Sequence, residues 1–120
     1  MQRSIEWAAG LFEGEGSISV IREKTKKGNL GRLRSQVTMS MTDYDVIKDF
    51  ADTLEMKVYG PYQYGKYKPI WKVGVSKKPE VKRILRLLLP HLGSRRACKA
   101  LDALDVIECN LSPEEFFKTT

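Results

Sequence analysis

In the stretch AAGLFEGEGSI, residues 8–18, two carboxylates, Glu13 and Glu15, alternate with Gly14 and Gly16, and Gly10 stands four residues before Gly14. Ile5, Trp7, Ala8, Leu11 and Phe12 precede them at spacings that bury a helix on more than one side. Each glycine costs a helix interior about 0.5–1 kcal/mol relative to alanine. A carboxylate at a helix C-terminus faces the negative pole of the dipole, a further cost of about 0.3–1 kcal/mol. Something must offset both. The chemistry on offer is that of acid oxygens. Cys98 and Cys109, eleven residues apart on one predicted helix, are separated by roughly 16 Å of rise and cannot bridge. The single histidine, His91, follows Pro90 in a connection between helices. The chain therefore offers neither a thiol–imidazole zinc cluster nor a nucleophile–base pair.

At 120 residues the chain reads as a single domain, 1–120, with 42% hydrophobic and 30% charged residues, the balance of a soluble globular protein. No run approaches the roughly 18 apolar residues of a membrane span, and MQRSIEWAAG lacks a signal peptide's apolar core. The expected location is the cytoplasm or an equivalent compartment, such as an organelle stroma, matrix or nucleoid. A net charge of +6 fits a polyanionic partner. Arg22, Lys24, Lys26, Lys27, Arg32 and Arg34 cluster in one segment, and Lys66, Lys68 and Lys72 in another.

After the first helix, SISVIREK and LRSQVTMSM predict a hairpin. The second strand alternates Leu33, Val37, Met39 and Met41 with Arg34, Gln36, Thr38 and Ser40. Thr42 and Asp45 read as a capping box for a helix over about 43–56. VYGPYQYG and PIWKVGVS predict a second hairpin around Gly65–Lys68, with Trp71, Val73 and Val75 inward and Pro61 confining its strand to an edge or a bulge. Helices follow over 77–89, from a Ser94 cap to about Cys109, and from Ser112 as a short tail. The order α-ββ-α-ββ-α with C-terminal helices makes an α+β domain in which both hairpins share one four-stranded antiparallel sheet.

Followed by this topology, residues 8–16 resemble the signature of the LAGLIDADG homing endonucleases: small, small, Gly10, apolar, apolar, Glu13, Gly14, Glu15, Gly16. Ala8 replaces a leucine and glutamates replace both aspartates, and the resemblance covers nearly the whole chain. It implies a homodimer, since the motif occurs once, with two copies of the first helix packed through Ala9, Gly10, Glu13 and Gly14. It further implies a site-specific double-strand DNA endonuclease acting on a long, roughly palindromic site, of the kind associated with intron homing. Glu15 would be the catalytic Mg²⁺ ligand, with the Gly14 carbonyl as a further one. Mn²⁺ or Ca²⁺ could substitute for binding. A pair of hard oxygen ligands with a cation between them would supply that offset, because the metal charge overcomes both the dipole cost and the repulsion between carboxylates. Glu13 would cap or brace the helix.

The family also places a basic residue near the site, which maps onto Arg95, with Arg96 close behind. A guanidinium can stabilise charge but not act as a general base. Where some relatives carry a polar water-ordering residue near the end of the second strand, this chain offers Met39 and Asp43, so that task falls to Gln36 or Ser40. The outward set Arg34, Gln36, Thr38 and Ser40 has the types that read base edges. Gln63, Lys66, Lys68 and Lys72 extend that surface, and Arg22, Lys24, Lys26 and Lys27 would meet phosphates. Two copies carry +12, twice +6, so binding should weaken with salt. The competing readings are a non-cleaving DNA-binding protein of the same fold, an RNA-splicing maturase with RNA as partner, and a small-ligand or protein-interaction domain.

Overall fold

The computed structural model of the chain describes residues 1–24 and 30–108. The elements run α1 (Ile5–Glu15), β1 (Gly16–Lys24), β2 (Leu30–Met41), α2 (Tyr44–Leu54), β3 (Tyr59–Tyr62), β4 (Ile70–Val75), α3 (Lys78–Leu88), a 3₁₀ turn (Leu89–His91) and α4 (Ser94–Glu108). The expected tail helix from Ser112 lies outside the described residues, as does Cys109. One antiparallel sheet has the order β1-β2-β4-β3, and the helices cover one of its faces. The α+β order α-ββ-α-ββ-α with one four-stranded antiparallel sheet, expected from the sequence, is the one observed.

Two caps sit one residue from where the sequence suggests. Asp43, rather than Thr42, opens α2 by accepting the Val46 N–H at 3.3 Å. The carbonyl of Gly93 accepts the Ala97 N–H at 2.8 Å, so Ser94 is the first residue inside α4 and not its cap. In both places neighbouring residues can serve, and tertiary contacts choose between them. At the other end of α2, Arg83 of α3 donates to the carbonyls of Leu54 at 2.7 Å and Glu55 at 3.2 Å. Two orphan carbonyls thus gain a cationic partner at the negative pole of the helix.

The core lies between the sheet and the helices. β2 contributes Leu33, Val37 and Met39 to it, and β4 contributes Val73. From the helices come Phe12, Ile47, Phe50, Leu54, Val81, Ile84, Leu85 and Leu88. Buried Ser35 donates its hydroxyl to the Ala103 carbonyl at 2.9 Å, tying β2 to α4. Phe12 stacks on Phe50 with centroids 6.4 Å apart, and its ring also lies against Gly16. A Cβ on Gly16 would stand 2.1 Å from Phe12 Cδ1 and 2.3 Å from Cε1. The φ of −86° there suits any residue, so the requirement for glycine is steric. Gly16→Ala is expected to destabilise the chain by about 3 kcal/mol, the upper end of an overpacked core, and to lower the melting temperature by about 10 °C or more in a circular-dichroism melt. Phe12→Leu in the same chain should restore part of that loss.

Candidate functional site

The C-terminal turn of α1 brings the two motif carboxylates into different surroundings. Glu13 is half-buried and turned toward α4: its Oε1 accepts the Gly93 N–H, and its own carbonyl accepts Arg96 Nε at 3.0 Å. The Arg96 guanidinium also lies 3.7 Å from Glu13 Oε2 and 5.7 Å above the Phe12 ring. A cation therefore sits where the α1 dipole is negative, which offsets part of the cost of ending the helix on acids. Glu15 is exposed and makes no hydrogen bond or ion pair among the described residues. Its carboxylate stands free at the point where the chain turns into β1.

The same geometry separates the two arginines. Arg96 fastens α4 to α1, whereas Arg95 is exposed beside it, at the rim of a polar depression of about 210 Å³ shared with Glu13, Arg96 and Lys99. Arg96→Ala should therefore lower stability by about 1–2 kcal/mol through a lost charge-assisted hydrogen bond and stem packing. Arg95→Ala should leave stability within about 0.5 kcal/mol. Urea unfolding of both variants reads out the difference.

The outer face of α1 carries Gly10 and Gly14, both exposed, and a Cβ added to either meets no atom within 4 Å. Half-buried Trp7 and Leu11 flank them. Ala9 does not share this face. It is 0% exposed and packed into the protomer's own core, so it offers no area to a second copy. A small residue suits either side of a helix, and only the fold shows which.

The uncovered sheet face is polar. On β2, Arg34, Thr38 and Ser40 point outward and are exposed, and Gln36 is half-buried on the same side. Across the ladder Ser17 pairs with Thr38, Ser19 with Gln36 and Ile21 with Arg34, so β1 adds three outward residues that continued alternation from Ile18 could have supplied. Arg22, expected among the phosphate contacts, pairs with Leu33 and falls on the helix-covered side of the sheet, opposite to Arg34. Met39 is likewise in the core, 2% exposed, and cannot order water at the surface. Thr38 also pairs with Gly74, and Ser40 with Lys72. Lys66 and Lys68 are exposed in the β3–β4 turn. Gln63 donates its amide nitrogen to the carbonyls of Gly65 at 3.0 Å and Tyr67 at 2.6 Å. Its amide donor is engaged in holding that turn, while the side chain stays exposed. Lys26, Lys27 and the side chain of Lys24 lie outside the described residues.

No group of three or more His, Cys, Asp or Glu side chains is placed to hold a metal ion among the described residues. One free carboxylate with main-chain carbonyls at a helix end is a hard-oxygen donor set suited to Mg²⁺ or Ca²⁺, but it is half of one. The residues fit a divalent cation when two such ends meet.

No family model matches the chain, and no curated protein matches it in sequence. Solved structures do. The homing endonuclease I-CvuI, determined with its DNA target in the presence of Ca, aligns over 87% of this chain and 65% of its own, with a TM-score of 0.71 and 18% identity. The homing endonuclease I-TnaI aligns over 89% of this chain and 73% of its own, TM-score 0.69 and 14% identity. The LAGLIDADG meganuclease I-CpaMI, bound to uncleaved DNA, aligns over 97% of this chain and 41% of its own, TM-score 0.71 and 19% identity. The fold is that of the LAGLIDADG homing endonucleases. The chain spans about two thirds of I-CvuI and two fifths of I-CpaMI. On the LAGLIDADG fold the motif expected at residues 8–16 covers the end of α1 and the turn into β1, where Glu15 is free.

Proposed function

We propose that the chain is one protomer of a homodimeric, divalent-metal-dependent DNA endonuclease that cuts a long, roughly palindromic duplex site. The exposure of Gly10 and Gly14 carries this reading. Each weakens α1 by about 1 kcal/mol, and neither is required by anything in its own protomer. Small residues four apart are what two helices need for close approach, and apposed α1 helices bring two Glu15 carboxylates together at a two-fold axis. The neighbours' complexes with DNA and with Mg or Ca support the same assignment.

In this reading Glu15 of each copy, with the Gly14 carbonyl, would hold a divalent cation. Bound there, it would supply charge neutralisation of the scissile phosphate and activation of water for attack on phosphorus. Arg95 faces the phosphate and stabilises the charge that develops on its oxygens. Arg96 and Glu13 hold the end of α1 so that Glu15 stays in place without being used themselves. Arg34, Gln36, Thr38 and Ser40, with Ser17 and Ser19 beside them, form a two-stranded ribbon that fits a major groove, and Lys66, Lys68 and Lys72 add positive charge.

The test is incubation with a randomised pool of long duplexes in Mg²⁺, followed by sequencing of the cut ends. Cutting at one near-palindromic site is the expected result. Enrichment of a common sequence with no cutting in Mg²⁺ or Mn²⁺ would leave a DNA-binding protein and remove the nuclease.

A further inference from the structure

The edge strand β3 does something its length does not suggest. Tyr59 and Tyr62 are three residues apart, an interval that puts side chains on opposite faces of a regular strand. Their partners on β4, Lys72 and Ile70, are two apart. β3 therefore carries one extra residue in this interval, a bulge that turns both tyrosines onto the outer face with Lys72. Gly60 makes it possible: its φ is +124°, and a Cβ there would stand 2.9 Å from the Ile70 carbonyl oxygen.

The result is a shallow cup of about 300 Å³ on the outer face, bounded by Tyr59, Tyr62, Lys72, Thr38 and Ser40, with Gly74 as an open floor. Tyr59, Tyr62 and Tyr64 keep 45%, 40% and 48% of their surface exposed. The Lys72 ammonium lies 5.4 Å from the Tyr62 ring centre and 5.7 Å from that of Tyr64, and donates to the Tyr64 hydroxyl at 3.3 Å. The rings and Lys72 therefore form one arrangement. Ser40 and Lys72 are two residues along their strands from the Thr38–Gly74 pair, about 7 Å at the usual strand rise. Ser17, two residues past Glu15, lies in that same row.

We infer that this cup reads a thymine in the major groove, taking the C5-methyl group between Tyr59 and Tyr62 over Gly74 and pairing O4 with the Lys72 ammonium. The inference rests on the DNA-binding reading above and assigns a base to one part of its surface. Thymine presents a methyl group and an adjacent acceptor on its major-groove edge, and no other base offers both. Cytosine would present an amino donor to the Lys72 cation. Guanine would satisfy Lys72 but leave the aromatic cup unfilled. A phosphate would use the lysine alone and explain neither the bulge nor the glycine floor.

Selection of bound duplexes from two randomised pools, one built with thymine and one with uracil in its place, tests this directly, because uracil lacks only the methyl. The expected result is one position in each half-site where thymine is preferred and where uracil weakens binding about fourfold, the value of one buried methyl-sized group. Tyr62→Ala should abolish that difference at this position alone, and Tyr62→Phe, which keeps the ring, should retain it. Lys72→Met should relax thymine against cytosine there while the methyl is still sensed. Sequence-specific binding with no methyl-sensitive position, or with one that Tyr62→Ala leaves unchanged, overturns the inference and spares the endonuclease reading. Absence of salt-sensitive duplex binding overturns both.

Discussion

Glu15→Gln should abolish DNA cleavage, by about 10³-fold or more, while leaving DNA binding intact and raising the melting temperature. The substitution keeps shape and removes charge. At the proposed site a dimer would lose both anionic ligands at once, and several kcal/mol of transition-state stabilisation from a bound cation correspond to three or more decades in rate. Stability should move the other way. Glu15 has no partner among the described residues and sits at the negative end of α1, so neutralising it relieves about 0.3–1 kcal/mol per copy. Glu13→Gln supplies the contrast, because Glu13 accepts the Gly93 N–H and faces Arg96. It should lower the melting temperature. A cleavage time course and a thermal melt on the two variants read out the opposition. Full cutting by Glu15→Gln would remove the proposed metal centre.

The double substitution Gly10→Ala, Gly14→Ala should strengthen the isolated protomer and weaken the proposed dimer. Open space surrounds each added Cβ, and alanine gains about 0.8–1 kcal/mol per site over glycine in a helix. Urea unfolding at low protein concentration should therefore show a gain of about 1–2 kcal/mol. In apposed helices the same methyl groups fill the closest approach, and overpacking costs about 1–3 kcal/mol per contact. Each position occurs in both copies, so the dimer dissociation constant should rise by at least about 10²-fold in sedimentation equilibrium. An unchanged dimer would place the two-fold contact elsewhere than on α1. A protomer that loses stability would show that the glycines serve its own fold.

The period of a pattern was the most legible information. Leu33, Val37 and Met39 against Arg34, Thr38 and Ser40 separate the two sides of β2, as observed; Pro61 points to an edge or a bulge, and β3 turns out to have both. Choices between near-equivalent groups were less legible. Ala9 and Gly10 are both small, and only the position of α2 and α3 decides that one is core and the other surface. Arg95 and Arg96 are adjacent and identical in type, but helical geometry points only the second at α1. Arg22 carries a charge that suggests the open face, yet its register opposite Leu33 places it on the other. Gln63 has the chemistry of a base reader, and its donor is captured by the turn it stands in. What these cases turn on is direction, which composition and spacing do not contain.

The alternation on β2 has a consequence for how such a protein changes its target. Thr38 and Ser40 face outward and are exposed, while Leu33, Val37 and Met39 face inward and carry the protomer's stability. Exchanging Ser40 for another polar side chain should alter stability by no more than about 0.5 kcal/mol, so in the proposed DNA-binding role new recognition can be sampled there from a folded starting point. Thr38 is constrained by its neighbour: a Cβ on Gly74 would lie 3.3 Å from Thr38 Cγ2, so those two positions must vary together. The sheet thus combines an independent letter with a digraph, and successful retargeting should show correlated changes at positions 38 and 74 and free variation at 40.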